Sequence, residues 1–146
     1  MDLVQNSKSS VGVSYVNSAE TASHSIDCVG FDAISVDAIV QTNEETTAPA
    51  VVKFETSDDN TTFATVTGLI QDTDYTLAGV ANTADANVTR FDVSLKALER
   101  YVKISVTPSA DVGTNDATIV VAARLHKAEA GIDSASDAGV EARAVK

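Results

Sequence analysis

Two adjacent aspartates and an asparagine, Asp58, Asp59 and Asn60, form the stretch that most resembles a chemical site. Oxygen ligands suit Ca²⁺, but an EF-hand loop requires a glycine at its sixth position and a glutamate at its twelfth. Counted from Asp58, the sixth position is Phe63, and no glutamate closes the set. Asp and Asn side chains also stabilise turns by bonding their own backbone. The stretch therefore predicts a hairpin turn, and a calcium site would need ligands from a distant loop.

Asn60 and Asn87 each open an N-x-Thr sequence, which is the acceptor pattern for N-linked glycans. Residues 1–10 have neither the basic region nor the apolar region of a secretory signal. We therefore expect synthesis in the cytoplasm of a host cell and no glycan at either asparagine.

Other catalytic and metal patterns are missing from the sequence. His24 and His126 lie far apart, and neither has a cysteine or second histidine nearby to complete a zinc set. There is no G-x-S-x-G nucleophile elbow and no glycine-rich phosphate loop. The single cysteine, Cys28, stands among apolar neighbours, so we expect a buried thiol. The sequence predicts a protein that is not an enzyme and has no catalytic residue, metal or cofactor.

The charge of the chain excludes several classes of partner. With 21 acidic and 10 basic residues, the formal net charge is −11. A nucleic-acid binder needs clustered cations, and so does a protein that binds an anionic membrane. We therefore expect neither nucleic acid nor membrane as a partner.

In the segments that position these residues, apolar and polar side chains alternate with a period of two. In the stretch DAISVDAIVQT, Ile34 and Val36 share one face while Ser35 and Asp37 point the other way. Six more stretches read as strands: VGVSYV, SHSIDCVG, VVKFET, TRFDVSLK, RYVKISVTP and DATIVVAARLHK. Short polar turns separate most of them. The pattern predicts an all-β fold, an antiparallel β-sandwich or jelly roll, with extended N- and C-terminal arms.

The two ends of the chain depart from this pattern. Residues 1–10 are polar and aperiodic, and residues 127–146 are rich in alanine with no apolar face. We predict an N-terminal arm over 1–10, one sandwich domain over 11–126 and a C-terminal arm over 127–146. From these arms we select candidate contacts with a partner: Asp2, Leu3, Val4, Gln5, Ile132, Val140 and Arg143.

The remaining candidate contacts are the only concentration of cations, Arg90, Lys96, Arg100 and Lys103. On so acidic a chain, these side chains can simply pair with neighbouring Asp and Glu residues. The alternative is a docking patch for an acidic partner.

Two stretches resemble a known family. FETSDDNTTFATVTG and the later VTRFDVSLKALERYVKISVTPS, followed by AARLHKAE, are similar to the small β-rich capsid decoration proteins of tailed bacteriophages, also called cement or head-stabilisation proteins. The resemblance covers roughly residues 30–130. This sequence has Ser94 within the first of the later strands and KALE in the turn that follows.

The resemblance implies a virion structural protein on the outer surface of a capsid. Such a protein binds the major capsid protein, bridges neighbouring capsid subunits and often forms a homotrimer. The rival interpretation is a carbohydrate-binding or adhesin-type sandwich on a phage fibre or a cell surface. Glycan binders present exposed aromatic rings, and this chain offers no tryptophan and only Tyr15, Tyr75 and Tyr101 among its tyrosines.

Overall fold

The computed structural model describes residues 7–17, 20–42, 46–109 and 117–127. Their strands are β1 (Ser7–Val16), β2 (Ala22–Asp27), β3 (Ala33–Thr42), β4 (Val51–Ser57), β5 (Ala64–Thr65), β6 (Asn87–Ser94), β7 (Tyr101–Thr107) and β8 (Ala117–His126). All seven strands expected from the alternating patterns are present. Among these residues, no helix is long and apolar enough to cross a membrane.

The strands form two four-stranded antiparallel sheets. Sheet A has the order β1-β8-β3-β6, and sheet B has the order β2-β7-β4-β5. The first strand therefore pairs with the last, the second with the seventh, the third with the sixth and the fourth with the fifth. This nested pairing of the strands, with the two sheets packed around a core, is the connectivity of a jelly roll. The predicted all-β antiparallel sandwich is confirmed.

The core lies between the inner faces of the two sheets. Alternate residues of β3 and of β8 are buried, as the period of two requires. Phe54 of β4 and Phe91 of β6 meet across the core with ring centroids 5.5 Å apart. Tyr75, from the connection between β5 and β6, packs its ring edge-on against Phe91 at 5.4 Å. Apart from Cys28, the other buried core residues are aliphatic, in keeping with the small aromatic content of the sequence.

The first strand begins earlier than the sequence suggests. β1 starts at Ser7, so residues 7–10 of the predicted N-terminal arm lie within the sandwich. Their backbone pairs with β8, and Ser9 stands opposite Arg124. Pairing of this kind uses main-chain groups, so an edge strand can form without an apolar pattern. Residues 1–6 and 128–146 of the two predicted arms lie outside the described residues.

Candidate interaction surfaces

The two ends of the sandwich chain meet at one place. Ser7, the first residue of β1, is the register partner of His126, the last residue of β8, and His126 also pairs with Ala33 of β3. The connection 28–32 links this end of sheet A to the corresponding end of sheet B. Its Asp32 N donates to the carbonyl oxygen of His126 at 2.9 Å. We call this the terminal end, and the opposite end, which holds residues 66–86, the far end.

The connection 95–100 between β6 and β7 belongs to the terminal end. It carries two of the four predicted cationic contacts, Lys96 and Arg100. Arg100 donates two hydrogen bonds to the Asp27 carboxylate, at 3.0 and 2.7 Å. These bonds, followed by one from the backbone N–H of Val29, lower the pKa of Asp27 to about 2. Both side chains are solvent-exposed, so the pair contributes little to stability.

The other two cations lie elsewhere. Arg90 points from the outer face of sheet A and makes a two-bond ion pair with Asp37, at 2.6 and 2.8 Å. Lys103 points from the outer face of sheet B and pairs with Glu55 at 3.2 Å. The structure therefore does not gather the four cations into one patch, and three of them pair within the chain.

The Asp58–Asn60 stretch forms the turn between β4 and β5, also at the terminal end. The Asp59 carboxylate accepts hydrogen bonds from Thr61 N at 2.7 Å, Thr62 N at 2.8 Å and Ser57 Oγ at 2.9 Å. These bonds lower the pKa of Asp59, the backbone bonds having the largest effect. Asn60 has a φ of 58°, which Asn tolerates better than most residues. The stretch thus closes a hairpin, as the sequence predicts. Within the described residues, no three His, Cys, Asp or Glu side chains cluster as metal ligands would.

The outer face of sheet B is polar, and its groups satisfy one another. Ser105 donates to Glu55 at 3.0 Å and lies 3.3 Å from the Ser23 hydroxyl. The Lys103 ammonium, paired with Glu55, also sits 4.1 Å from the centroid of the Phe63 ring. This network leaves sheet B with the wet outer face that an antiparallel sandwich normally has.

The outer face of sheet A differs sharply, because an apolar row crosses it. The register places Val13 of β1, Val120 of β8, Ile39 of β3 and Val88 of β6 side by side. Val13 is 55% exposed and Val88 56% exposed. Val11 and Tyr15, which flank Val13 on the same face, are 61% and 80% exposed. The sequence showed only that Val120 points outward, because the sideways order of the strands is not encoded in local alternation.

A groove with a volume of about 720 Å³ lies between β6 and residues 68–80. Tyr75 lines it, but its hydroxyl donates to the carbonyl oxygen of Val52. Burial, together with the charges of Asp72 and Asp74, raises the pKa of Tyr75 to about 12. Tyr75 therefore holds the connection against the core.

The tyrosines do not form a common aromatic platform. Tyr15 is on the outer face of sheet A, Tyr75 lines the groove, and Tyr101 is on the outer face of sheet B beneath Arg100. Sugar stacking would require neighbouring exposed rings, so this placement does not favour the rival glycan-binding interpretation.

Two further titratable groups lie inside the sandwich. Cys28 is buried, and this burial raises the pKa of its thiol to about 11. His24 of β2 faces β1, with Nε2 2.8 Å from the hydroxyl oxygen of Ser10. Partial burial lowers the pKa of His24. Both groups serve packing between the sheets.

Seven of the candidate contacts lie outside the described residues: Asp2, Leu3, Val4, Gln5, Ile132, Val140 and Arg143. The structure fixes only where their segments join the sandwich, next to Ser7 and after Lys127. Lys96 and Arg100 lie at that same end, whereas Arg90 and Lys103 project from the two outer faces.

No protein-family model and no curated protein matches this chain. One solved structure that is similar comes from work described as "Bacillus endospore appendages form a novel family of disulfide-linked pili". It shares 12% identity over 84% of this chain and 88% of that chain, with a TM-score of 0.41.

Proposed function

We propose that this chain is a non-enzymatic structural protein of a virion. It binds the outer surface of a phage capsid and stabilises the shell by bridging neighbouring copies of the major capsid protein. It is made in the host cytoplasm, acts on the capsid surface, and needs no metal, cofactor, nucleic acid or membrane. The identity of the shell in this proposal rests on the sequence resemblance to decoration proteins.

One structural observation supports a bridging role. The segments 1–6 and 128–146 join the sandwich beside each other, because Ser7 and His126 are direct register partners. Two arms that leave from one end can contact two adjacent capsid subunits at once. Extended segments gain main-chain hydrogen bonds when they add to a partner's sheet edge. Since both arms belong to one molecule, binding of the first raises the effective concentration of the second.

Deletion of the arms tests the proposal. Variants lacking residues 1–6, residues 128–146 or both keep every described strand, so we expect them to fold. Each single deletion should weaken capsid binding, and the double deletion should weaken it by about 100-fold or more, since bivalent gains are of that order. The measurement is the occupancy of purified capsids by sedimentation and by imaging, with circular dichroism as the check on folding.

A charge change at the terminal end provides a second test of the proposal. Lys96→Glu should reduce capsid binding, whereas Lys53→Glu, on the outer face of sheet B, should not. The proposal is wrong if all three deletion variants decorate capsids at wild-type occupancy.

A further inference from the structure

The outer face of sheet A is the largest feature of the sandwich that the arms do not explain. Four strands contribute the apolar row of Val13, Val120, Ile39 and Val88, and Val11 and Tyr15 extend it along β1. A sheet face open to water normally alternates toward polar residues, as the outer face of sheet B does. Exposed apolar area that is contiguous across a sheet marks an interaction surface.

The charges on this face cancel, although the chain as a whole carries −11. Arg90 and Arg124 are balanced by Asp37 and Asp92, and the other outward positions of the four strands are uncharged. Two copies of so acidic a protein repel each other over most of their surfaces. This face is where they can approach without that penalty.

We propose that the outer face of sheet A packs against the same face of a second copy of this chain, about a two-fold axis that runs parallel to the strands between β8 and β3. This axis places β1 over β6 of the second copy, and β8 over its β3. Val13 then contacts Val88 of the second copy, and Val120 contacts its Ile39. The apolar rows of the two copies therefore pack against each other. A closed two-fold contact of this kind uses one self-complementary patch on both copies.

A polar row nearer the terminal end, separated from the apolar row by one outward row, selects this axis. Arg124 of β8 stands in register with Ser35 of β3, and Ser35 with Asp92 of β6. Ser35 donates to the Asp92 carboxylate at 2.6 Å, whereas the Arg124 guanidinium makes no hydrogen bond or ion pair with any residue in the described part of the chain. The axis brings Arg124 over Ser35 and beside Asp92 of the second copy, twice in each dimer. A two-fold axis along the apolar row would instead stack Val13 on Val13 and Tyr15 on Val11, and would leave Arg124 at the opposite end of the face from Asp92 of the second copy.

The size of the face fits a stable but modest contact. Four strands at their usual spacing are about 19 Å wide, and ten residues are about 34 Å long. Complete coverage would therefore remove roughly 650 Å² from each copy, or about 1,300 Å² in all, near the lower limit for a specific interface. This inference concerns self-association in solution, and it stands or falls independently of the capsid proposal. It predicts a two-fold dimer where the resemblance implies a trimer.

Sedimentation equilibrium of the full chain over about 5–500 µM tests the contact. We expect a monomer–dimer equilibrium that Val13→Asp weakens at least tenfold, because the new carboxylate would be buried against Val88 of the second copy. Val29→Asp is the matched control, since Val29 is 61% exposed but lies in the 28–32 connection at the terminal end. Its dimerisation should equal that of the wild type.

Charge reversal and cross-linking test the axis. Arg124→Asp and Asp92→Arg should each weaken the dimer, and the double variant should recover most of the loss. In a Cys28→Ala background, a mixture of Val13→Cys and Val88→Cys chains should cross-link to each other faster than either cross-links to itself. Circular dichroism confirms that each variant is folded.

Several results would overturn the inference. These are a chain that stays monomeric at 500 µM, a trimer, and a dimer that Val13→Asp leaves intact. Preferential cross-linking of Val13→Cys to itself would refute the axis. Loss of capsid binding by Val13→Asp, with self-association unchanged, would assign the face to the shell instead.

Discussion

Asp59, Tyr75 and Cys28 are residues whose types suggest chemistry but whose polar groups serve the fold. The Asp59 carboxylate is saturated by its own turn, and the Tyr75 hydroxyl bonds the backbone of β4. Burial of Cys28 raises the pKa of its thiol to about 11, which keeps it protonated and unreactive near neutral pH. The polar groups of Asp59 and Tyr75 and the thiol of Cys28 therefore serve the turn, the connection and the core in which they lie.

His24 makes the stability of the sandwich depend on pH. Partial burial lowers its pKa in the folded state below the value of the unfolded chain, so the unfolded state binds the proton more readily. The contribution of the neutral ring is present above about pH 6.5, the ordinary pKa of histidine, and is lost as the pH falls below that value. We expect the urea midpoint of the wild type to fall between pH 7.5 and pH 5.5. This fall should be smaller in His24→Gln.

The second histidine, His126, is present in both proteins, so the difference between their pH profiles isolates His24. Parallel profiles for the two proteins would show that the ring titrates as freely in the folded state as in the unfolded chain.

The sequence predicted the inward and outward positions of the strands but not the partners across them. Alternation placed Phe91 and Val93 inward and Asp92 outward, and β6 has that arrangement. The ion pair between Arg90 and Asp37 depends on the register of β6 with β3, which no local pattern contains. The apolar row on sheet A was missed for the same reason. Its four members come from four strands whose order is set by the jelly-roll connectivity.

At the scale of elements, β1 contacts β2 of sheet B through Lys8 and Ser10 and through a close approach at Gly12. It pairs with β8 at the edge of sheet A, and its inner side meets β2, where the His24 ring covers Gly12. A Cβ atom on Gly12 would lie 2.5 Å from Nδ1 and 2.7 Å from Cγ of that ring. These atoms are at the base of the imidazole, so a small rotation of the side chain would not relieve the overlap.

Gly12→Val should therefore destabilise the fold by about 1–3 kcal/mol, the usual cost of overpacking. In a His24→Ala background, the same substitution should cost much less, because the space is free and valine favours a strand. Urea unfolding of the four proteins gives the coupling energy. A coupling near zero would mean that β1 accommodates the larger side chain without the help of His24.

At the scale of the whole molecule, acidic charge exceeds basic charge by 11. The three ion pairs between Arg90 and Asp37, Arg100 and Asp27, and Lys103 and Glu55 each take one acidic and one basic group, so they leave that excess unchanged. Screening by salt weakens both these pairs and the general repulsion. Repulsion should dominate, since it acts on all the uncompensated carboxylates.

Raising NaCl from 0.02 to 0.3 M should therefore stabilise the folded monomer by on the order of 1 kcal/mol. The measurement is urea unfolding followed by tyrosine fluorescence at low micromolar concentration, where self-association does not contribute. A control in which sucrose replaces NaCl at the same osmolality separates charge screening from solvent exclusion. A decrease in stability with salt would mean that the ion pairs outweigh the repulsion.

The pairing of Ser7 with His126 also determines where a fused protein would lie relative to the sandwich. A protein fused to either end of the sandwich would emerge at the terminal end, on the side that we assign to the shell. The turn closed by Asn82 and Asp85 lies at the far end, roughly 30 Å away along ten residues of strand. A peptide inserted there would point away from the end that we propose to contact the shell, so this turn, and not a terminus, is the place to insert an epitope that must stay accessible.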